Sequence, residues 1–215
     1  MGLELRKGDQ VQFLIDRSGS MDTSDCDGDT RYHYAKEKVK AFVRGAAKYD
    51  PDGVSIHFFN NRVETHQNVA TVEQIDALID QHRPGGGTAT DLAIQAAWKE
   101  HTVTKSAGTY VFIITDGEPS DPGAVQKQIV NITNSMGSPE EFRLAFLTVG
   151  VQSSELKAWL SALDSDLKGA KYDIVSVEEL DKVDFEQAVA DLVGSTTTAG
   201  EAAAGHTGGK TTTTI

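Results

Sequence analysis

Asp16, Ser18 and Ser20 fall at every second position of FLIDRSGSMD (13–22), directly after the apolar run VQFLI (11–15). A short continuous run of β-forming residues reads as a strand buried on both faces. If the chain stays extended beyond it, alternate side chains point the same way. Asp16, Ser18 and Ser20 then share one face, and Gly19 lets the backbone bend around a ligand. Two further loops carry the same kind of residue. Thr88 lies in the glycine-rich RPGGGTAT (83–90), and Asp116 follows the most apolar segment, TYVFIIT (109–115), with Gly117 after it. Together these are two carboxylates and three hydroxyls, all oxygen donors. Hard divalent cations take such donors, and a set without sulfur or nitrogen argues against zinc. Two carboxylates barely neutralise a divalent ion, which would therefore stay electrophilic and welcome an external carboxylate. No general base accompanies the hydroxyls. The G-x-S-x-G elbow of a nucleophilic serine fails around Ser18, because Asp16 and Ser20 stand where it needs glycine.

Alternating elements must position these loops. Helical spacing appears over 31–49, 72–81, 91–101, 122–135, 153–163 and 177–193. Strands are expected at 11–15, 54–59, 109–115, 142–150 and 172–177, with 62–66 folding back on 54–59 across Asn60-Asn61. Such alternation predicts an α/β fold: a doubly wound, mostly parallel central sheet with helices on both faces and one short antiparallel edge strand. In such sheets ligands sit at the carboxyl ends of the strands, near the point where strand order reverses. Residues 1–8 read as an N-terminal extension, 9–193 as the domain, and 194–215 as a disordered Thr/Gly/Ala-rich tail with too little apolar surface to offset its ordering entropy.

Composition narrows the partners. The 215 residues include 20 Lys and Arg against 32 Asp and Glu, a net charge of −12. That balance argues against nucleic acid and anionic membranes. Cys26 stands alone, so no intramolecular disulfide forms. The N-terminus MGLELRKGDQ lacks an apolar export segment, Arg6 breaks the myristoylation pattern, and no apolar run is long enough to span a membrane. The expectation is a cytoplasmic, acidic protein, monomeric when isolated.

D-x-S-x-S at 16–20, the glycine-rich loop with Thr88, and TDGE at 115–118, in this order and at these strand ends, resemble the metal-ion-dependent adhesion site of von Willebrand factor A domains. The resemblance covers about 9–193. It implies a Rossmann-like domain that binds Mg²⁺ or Mn²⁺, with Ca²⁺ less favoured. It implies that Ser18, Ser20 and Thr88 ligate the ion directly, and Asp16 and Asp116 directly or through water. A Glu or Asp of a protein partner would fill the open position. For members without an export signal it implies assembly or regulatory work, beside an ATPase or kinase assembly.

Weaker signals have blander readings. Asp22, Asp25, Asp27 and Asp29 crowd one loop, but the EF-hand order fails from either Asp22 or Asp25. They read as a solvated rim that selects partners. Thr90, Asp91 and Glu118 are candidates for a second layer around the ion, Asp91 also fitting a capping role, and Asp121 reads as a helix cap. AGHTGGKT (204–211) looks like a loosened P-loop, but no strand precedes it and no helix can follow. His57 reads as solvent-facing or satisfied within its strand. Two alternatives to a metal-dependent interaction module stand: a magnesium-dependent, phosphatase-like hydrolase, and a degenerate scaffold whose site is unused.

Overall fold

Apolar runs become strands and the 3.6-spaced segments become helices in the computed structural model, which describes residues 8–46, 52–165 and 167–185. In chain order these are β1 (Gln10–Asp16), α1 (Arg31–Ala46), β2 (Val54–Phe59), β3 (Val63–Val69), α2 (Val72–Gln81), α3 (Thr90–Thr104), β4 (Thr109–Thr115), α4 (Pro122–Ser135), β5 (Phe142–Thr148), α5 (Ser154–Ser165) and β6 (Val175–Glu179). Local chemistry marks the helix starts. Thr71 and Gln74 form a capping box at α2. The Asp121 carboxylate accepts from Ala124 N, ahead of Pro122, at α4. Ser153 Oγ accepts from Leu156 N at 3.0 Å at α5.

The strands form one six-stranded sheet in the order β3-β2-β1-β4-β5-β6. Only β3 runs antiparallel, paired with β2. Period-two alternation then divides the interior. Phe13, Ile15, Ile56, Phe112 and Leu147 face α1 and α2, whereas Leu14, Ile113, Leu144 and Phe146 face α3, α4 and α5. On the first face Phe112 lies 5.1 Å from Phe13 and 5.8 Å from Phe42, ring centre to ring centre. The chain winds outward from β1 in both directions, so the loops after β1 and β4 part and leave a crevice between them.

His57 is fully buried and satisfied, by Thr65 Oγ1 at 2.9 Å and Gln12 Oε1 at 3.2 Å. Burial pushes its imidazole down to about 4.

Some ends shift by a few residues, β3 running on to Val69, β5 stopping at Thr148 and α3 reaching Thr104, and the largest difference is at the last strand. The last strand was expected at 172–177 and the closing helix at 177–193. Instead β6 starts at Val175 and continues to Glu179, and Leu180–Lys182 form a single 3₁₀ turn. The parallel ladder to β5, from Leu144↔Val175 to Thr148↔Glu179, takes residues whose helical spacing alone suggested a helix. Residues 186–193, the 194–215 tail with its P-loop-like segment, and 1–7 of the N-terminal extension lie outside the described residues. No helix among the described residues is long and apolar enough to cross a membrane.

Phe112→Ala removes a fully buried ring from this packing and is expected to cost about 3–5 kcal/mol in urea unfolding. A loss under about 1 kcal/mol would contradict the packing described.

Candidate metal centre

Asp16 ends β1 with no exposed surface. Its Oδ1 accepts from Ser18 N at 2.7 Å and its Oδ2 from Thr115 Oγ1 at 2.7 Å. The first bond turns the chain and the second ties β1 to the end of β4. Burial, opposed by those hydrogen bonds and reinforced by the nearby Asp116 charge, pushes the Asp16 carboxyl up to about 6.

From Asp16 the hydroxyls run toward solvent. Ser18 is buried and Ser20 exposed. Ser18 Oγ and Ser20 Oγ lie 3.1 Å apart, and Ser20 Oγ donates to Asp116 Oδ1 at 2.9 Å. These contacts do not arise from an extended chain. Residues Gly19–Asp22 form a 3₁₀ turn, pinned by the buried Met21. An extended i, i+2 pair would sit about two strand rises, roughly 6.6 Å, apart. The two hydroxyls thus meet through a turn and not through the alternation of an extended strand.

The loop bearing Thr88 docks on this turn. Gly85 N donates to Arg17 O at 2.7 Å, and Gly19 N to Gly86 O at 3.2 Å. The β2–β3 hairpin supports it from outside. Asn60 Nδ2 donates to Gly85 O at 2.6 Å, and Asn61 Oδ1 accepts from Gly87 N at 2.6 Å. Gly86 has φ +88, and a Cβ there would lie 2.4 Å from Asn61 Oδ1, so this position needs glycine. Thr88 is buried, with its N–H on Ser120 Oγ and its carbonyl accepting from Ser120 N.

The structure thus brings Asp16, Ser18, Ser20 and Asp116 into one chain of contacts and sets the Thr88 loop beside them. An octahedral ion with ligands at about 2.0–2.1 Å has neighbouring ligand oxygens about 3 Å apart. The Ser18–Ser20 and Ser20–Asp116 separations, 3.1 and 2.9 Å, are hydrogen-bond lengths that such edges would also accept. Thr90 is buried at the start of α3. Asp91 lies in its first turn but does not cap it, because the N-cap is Ala89, whose methyl accepts nothing. Glu118 is exposed.

The acidic rim is a folded loop. Cys26 and Asp29 exchange backbone hydrogen bonds across Asp27 and Gly28, both at positive φ (52° and 90°). Asp22 closes the 3₁₀ turn, Asp29 accepts from its own following amide and pairs with His33, and Asp25 pairs with Arg31. That pairing, through hydrogen bonds first, holds the Asp25 carboxyl down to about 2. Burial first, then the Asp25 charge, pushes the Cys26 thiol up. Among the described residues no group of three or more His, Cys, Asp or Glu could hold an ion.

Arg31 belongs to none of the motifs, yet its Nη1 donates to Asp116 Oδ2 at 2.6 Å. A signal existed: an arginine opening a helix opposes the macrodipole and so implies an acidic partner elsewhere. Ser120, Asn60 and Asn61 carried no such signal.

A polar cleft at the carboxyl edge of a doubly wound sheet, built from D-x-S-x-S, a glycine-rich loop and a following aspartate, defines a class. The von Willebrand factor type A domain matches residues 11–118, and the chain belongs to that family. No curated protein matches. Among solved structures, the PilB minor pilin from Streptococcus sanguinis is similar with a TM-score of 0.63 at 11% identity, over 94% of this chain and 64% of that one. Manganese-loaded Plasmodium vivax TRAP protein gives 0.56 at 13% identity, over 87% and 73%. Proximal thread matrix protein 1 from the mussel byssus, with a zinc-occupied MIDAS motif, gives 0.56 at 18%, over 89% and 46%. The chain therefore spans under two thirds of the pilin and about half of the byssus protein.

Two outcomes follow. Gly86→Ala is expected to cost about 1–3 kcal/mol in chemical unfolding, from backbone strain and the collision with Asn61. The second concerns pH in the presence of chelator. Asp16 has a folded pKa above its ordinary 3.8, so its neutral form stabilises below that value and the contribution is lost as pH rises through about 6. Relative to Asp16→Asn, wild type should lose about 1–2 kcal/mol between about pH 5 and about pH 7.5. The comparison is needed because His57 and His82, both with lowered pKa, lose stability in the opposite direction.

Proposed function

We propose that this domain is a metal-dependent protein-interaction module. Asp16, Ser18, Ser20, Thr88 and Asp116 hold a hard divalent cation, Mg²⁺ or Mn²⁺, and the ion takes a Glu or Asp side chain from a partner protein. The observation that carries this reading is the convergence of Ser18, Ser20 and Asp116 oxygens from two strand ends into one chain of contacts that opens to solvent at Ser20. The chemistry of the donors supports it further. The ligand oxygens offer two negative charges, so a bound divalent ion keeps appetite for another anion. When bound, the ion supplies Lewis acidity for that carboxylate. The protein orients its own oxygens: Thr115 and Ser18 N fix Asp16, and the Asn60–Asn61 hairpin fixes the loop of Thr88. Around the ion, the 22–31 loop, the β2–β3 hairpin and 117–121 form the surface that reads the partner.

Mg²⁺ and Mn²⁺ titration by calorimetry tests the reading, on wild type, Asp16→Ala, Ser20→Ala and Asp116→Ala. Wild type should bind one ion saturably, and each variant should bind at least about tenfold more weakly while remaining folded. Wild-type affinity should fall below about pH 6, because the ion needs ionised Asp16. A folded wild type that takes up neither ion at about 10 mM would defeat the proposal. Turnover of a phosphate ester in excess Mg²⁺, lost in Asp16→Ala, would replace it with a hydrolase.

A further inference from the structure

Arg31 opens α1, where the positive end of the helix dipole disfavours a cation. It is nevertheless held firmly. Its Nε and Nη2 donate to the two oxygens of Asp25, at 2.8 and 2.6 Å, and its Nη1 donates to Asp116 Oδ2 at 2.6 Å. The side chain is only 12% exposed. Its path exists because residue 150 is glycine. A Cβ there would lie 2.2 Å from Arg31 Nε, and Gly150 has φ +72. The arginine thus fills a slot that the end of β5 leaves open.

The slot joins two things otherwise separate. Asp25 belongs to the rim loop, whose backbone is held by the Cys26–Asp29 pair, Thr23 N to Ser20 O and Arg31 N to Thr23 O, with Asp29 on Thr30 N and His33 and a long contact from Val151 N to Asp25 Oδ2. Asp116 belongs to the proposed metal centre. Its two oxygens are divided, Oδ1 toward Ser20 and Oδ2 toward Arg31. An ion seated against Ser20 and Asp116 would therefore share one carboxylate with a guanidinium, and two cations on one carboxylate repel.

We propose that Arg31 sets the metal affinity of this site by competing with the ion for Asp116, and that the ion in turn loosens the 22–30 loop. This rests on the metal-dependent reading above. The second half follows from the first by linkage: whatever factor the strapped loop takes from ion affinity, the ion takes from loop strapping. Metal loading and the shape of the partner-reading rim are then one equilibrium. The rim is closed over the site when no ion competes for Asp116, and released when an ion does.

Titration with Mg²⁺ or Mn²⁺ alone, on wild type, Arg31→Met and Arg31→Gln, tests the competition, with circular dichroism as the check on folding. Both variants should bind roughly tenfold or more tightly than wild type, the size expected of a unit charge a few ångströms from a divalent ion near water. Hydrogen exchange at the Cys26, Asp29 and Arg31 amides gives the second readout. In wild type it should quicken when Mn²⁺ or Mg²⁺ is added, and in both variants it should be fast with or without the ion. Equal or weaker binding by folded variants would overturn the proposal and make Arg31 a residue that merely positions Asp116. Uptake of no ion by wild type or either variant would overturn the metal reading itself, and this inference with it. The two failures are thus distinguishable.

Discussion

A carboxylate without exposed surface, Asp16, sits where β1 ends beside β4, and the architecture of the cleft depends on it. Removing an ionised carboxylate from water is costly unless donors replace the water. Here Thr115 Oγ1 and Ser18 N do so, one to each oxygen. The same two bonds set the geometry around them. Thr115 locks the ends of the two central strands together, and Ser18 N turns the chain into the 3₁₀ segment that stacks Ser20 against Asp116. The remaining penalty appears as a carboxyl pushed up to about 6.

Around that anchor the site is built from backbone contacts that tolerate little substitution. The glycine-rich loop reaches the 17–19 segment through its own N–H and C=O groups, and the side chains of Asn60 and Asn61 hold it from the far side. Three separate parts of the chain, at 16–20, 85–88 and 115–120, are thus fixed relative to one another. Such preorganisation suits the recognition of a small hard cation, whose ligand geometry is strict for Mg²⁺ and looser for larger ions.

Charge is distributed on the same economical plan. The protein carries −12 overall, yet the cleft presents two carboxylates with Arg31 already pressed against one of them. Strong negative charge across the surface would draw in cations from a distance. At the cleft itself the guanidinium of Arg31 joins Asp116 to Asp25 in the rim.

Much was legible in the sequence because it rests on local and periodic signals. Apolar runs gave the strands, helical spacing gave α1 to α5, and Asp121 and Ser153 announced two helix starts. The oxygen-rich motifs could be named because the carboxyl ends of parallel strands are where such a fold binds. The sequence alone determined the α/β class, the sheet that carries the site and the identities of Asp16, Ser18, Ser20, Thr88 and Asp116 as candidates. Tertiary structure alone decided what depends on contacts between distant residues. It made β6 out of residues that also suited a helix, because β5 offered an unpaired edge. It folded the 3₁₀ turn that replaced the extended geometry, and it carried Arg31 across to Asp116, 85 residues along the chain. Periodicity records which face a residue prefers, but the partner of a charge is fixed only when the chain has closed around it.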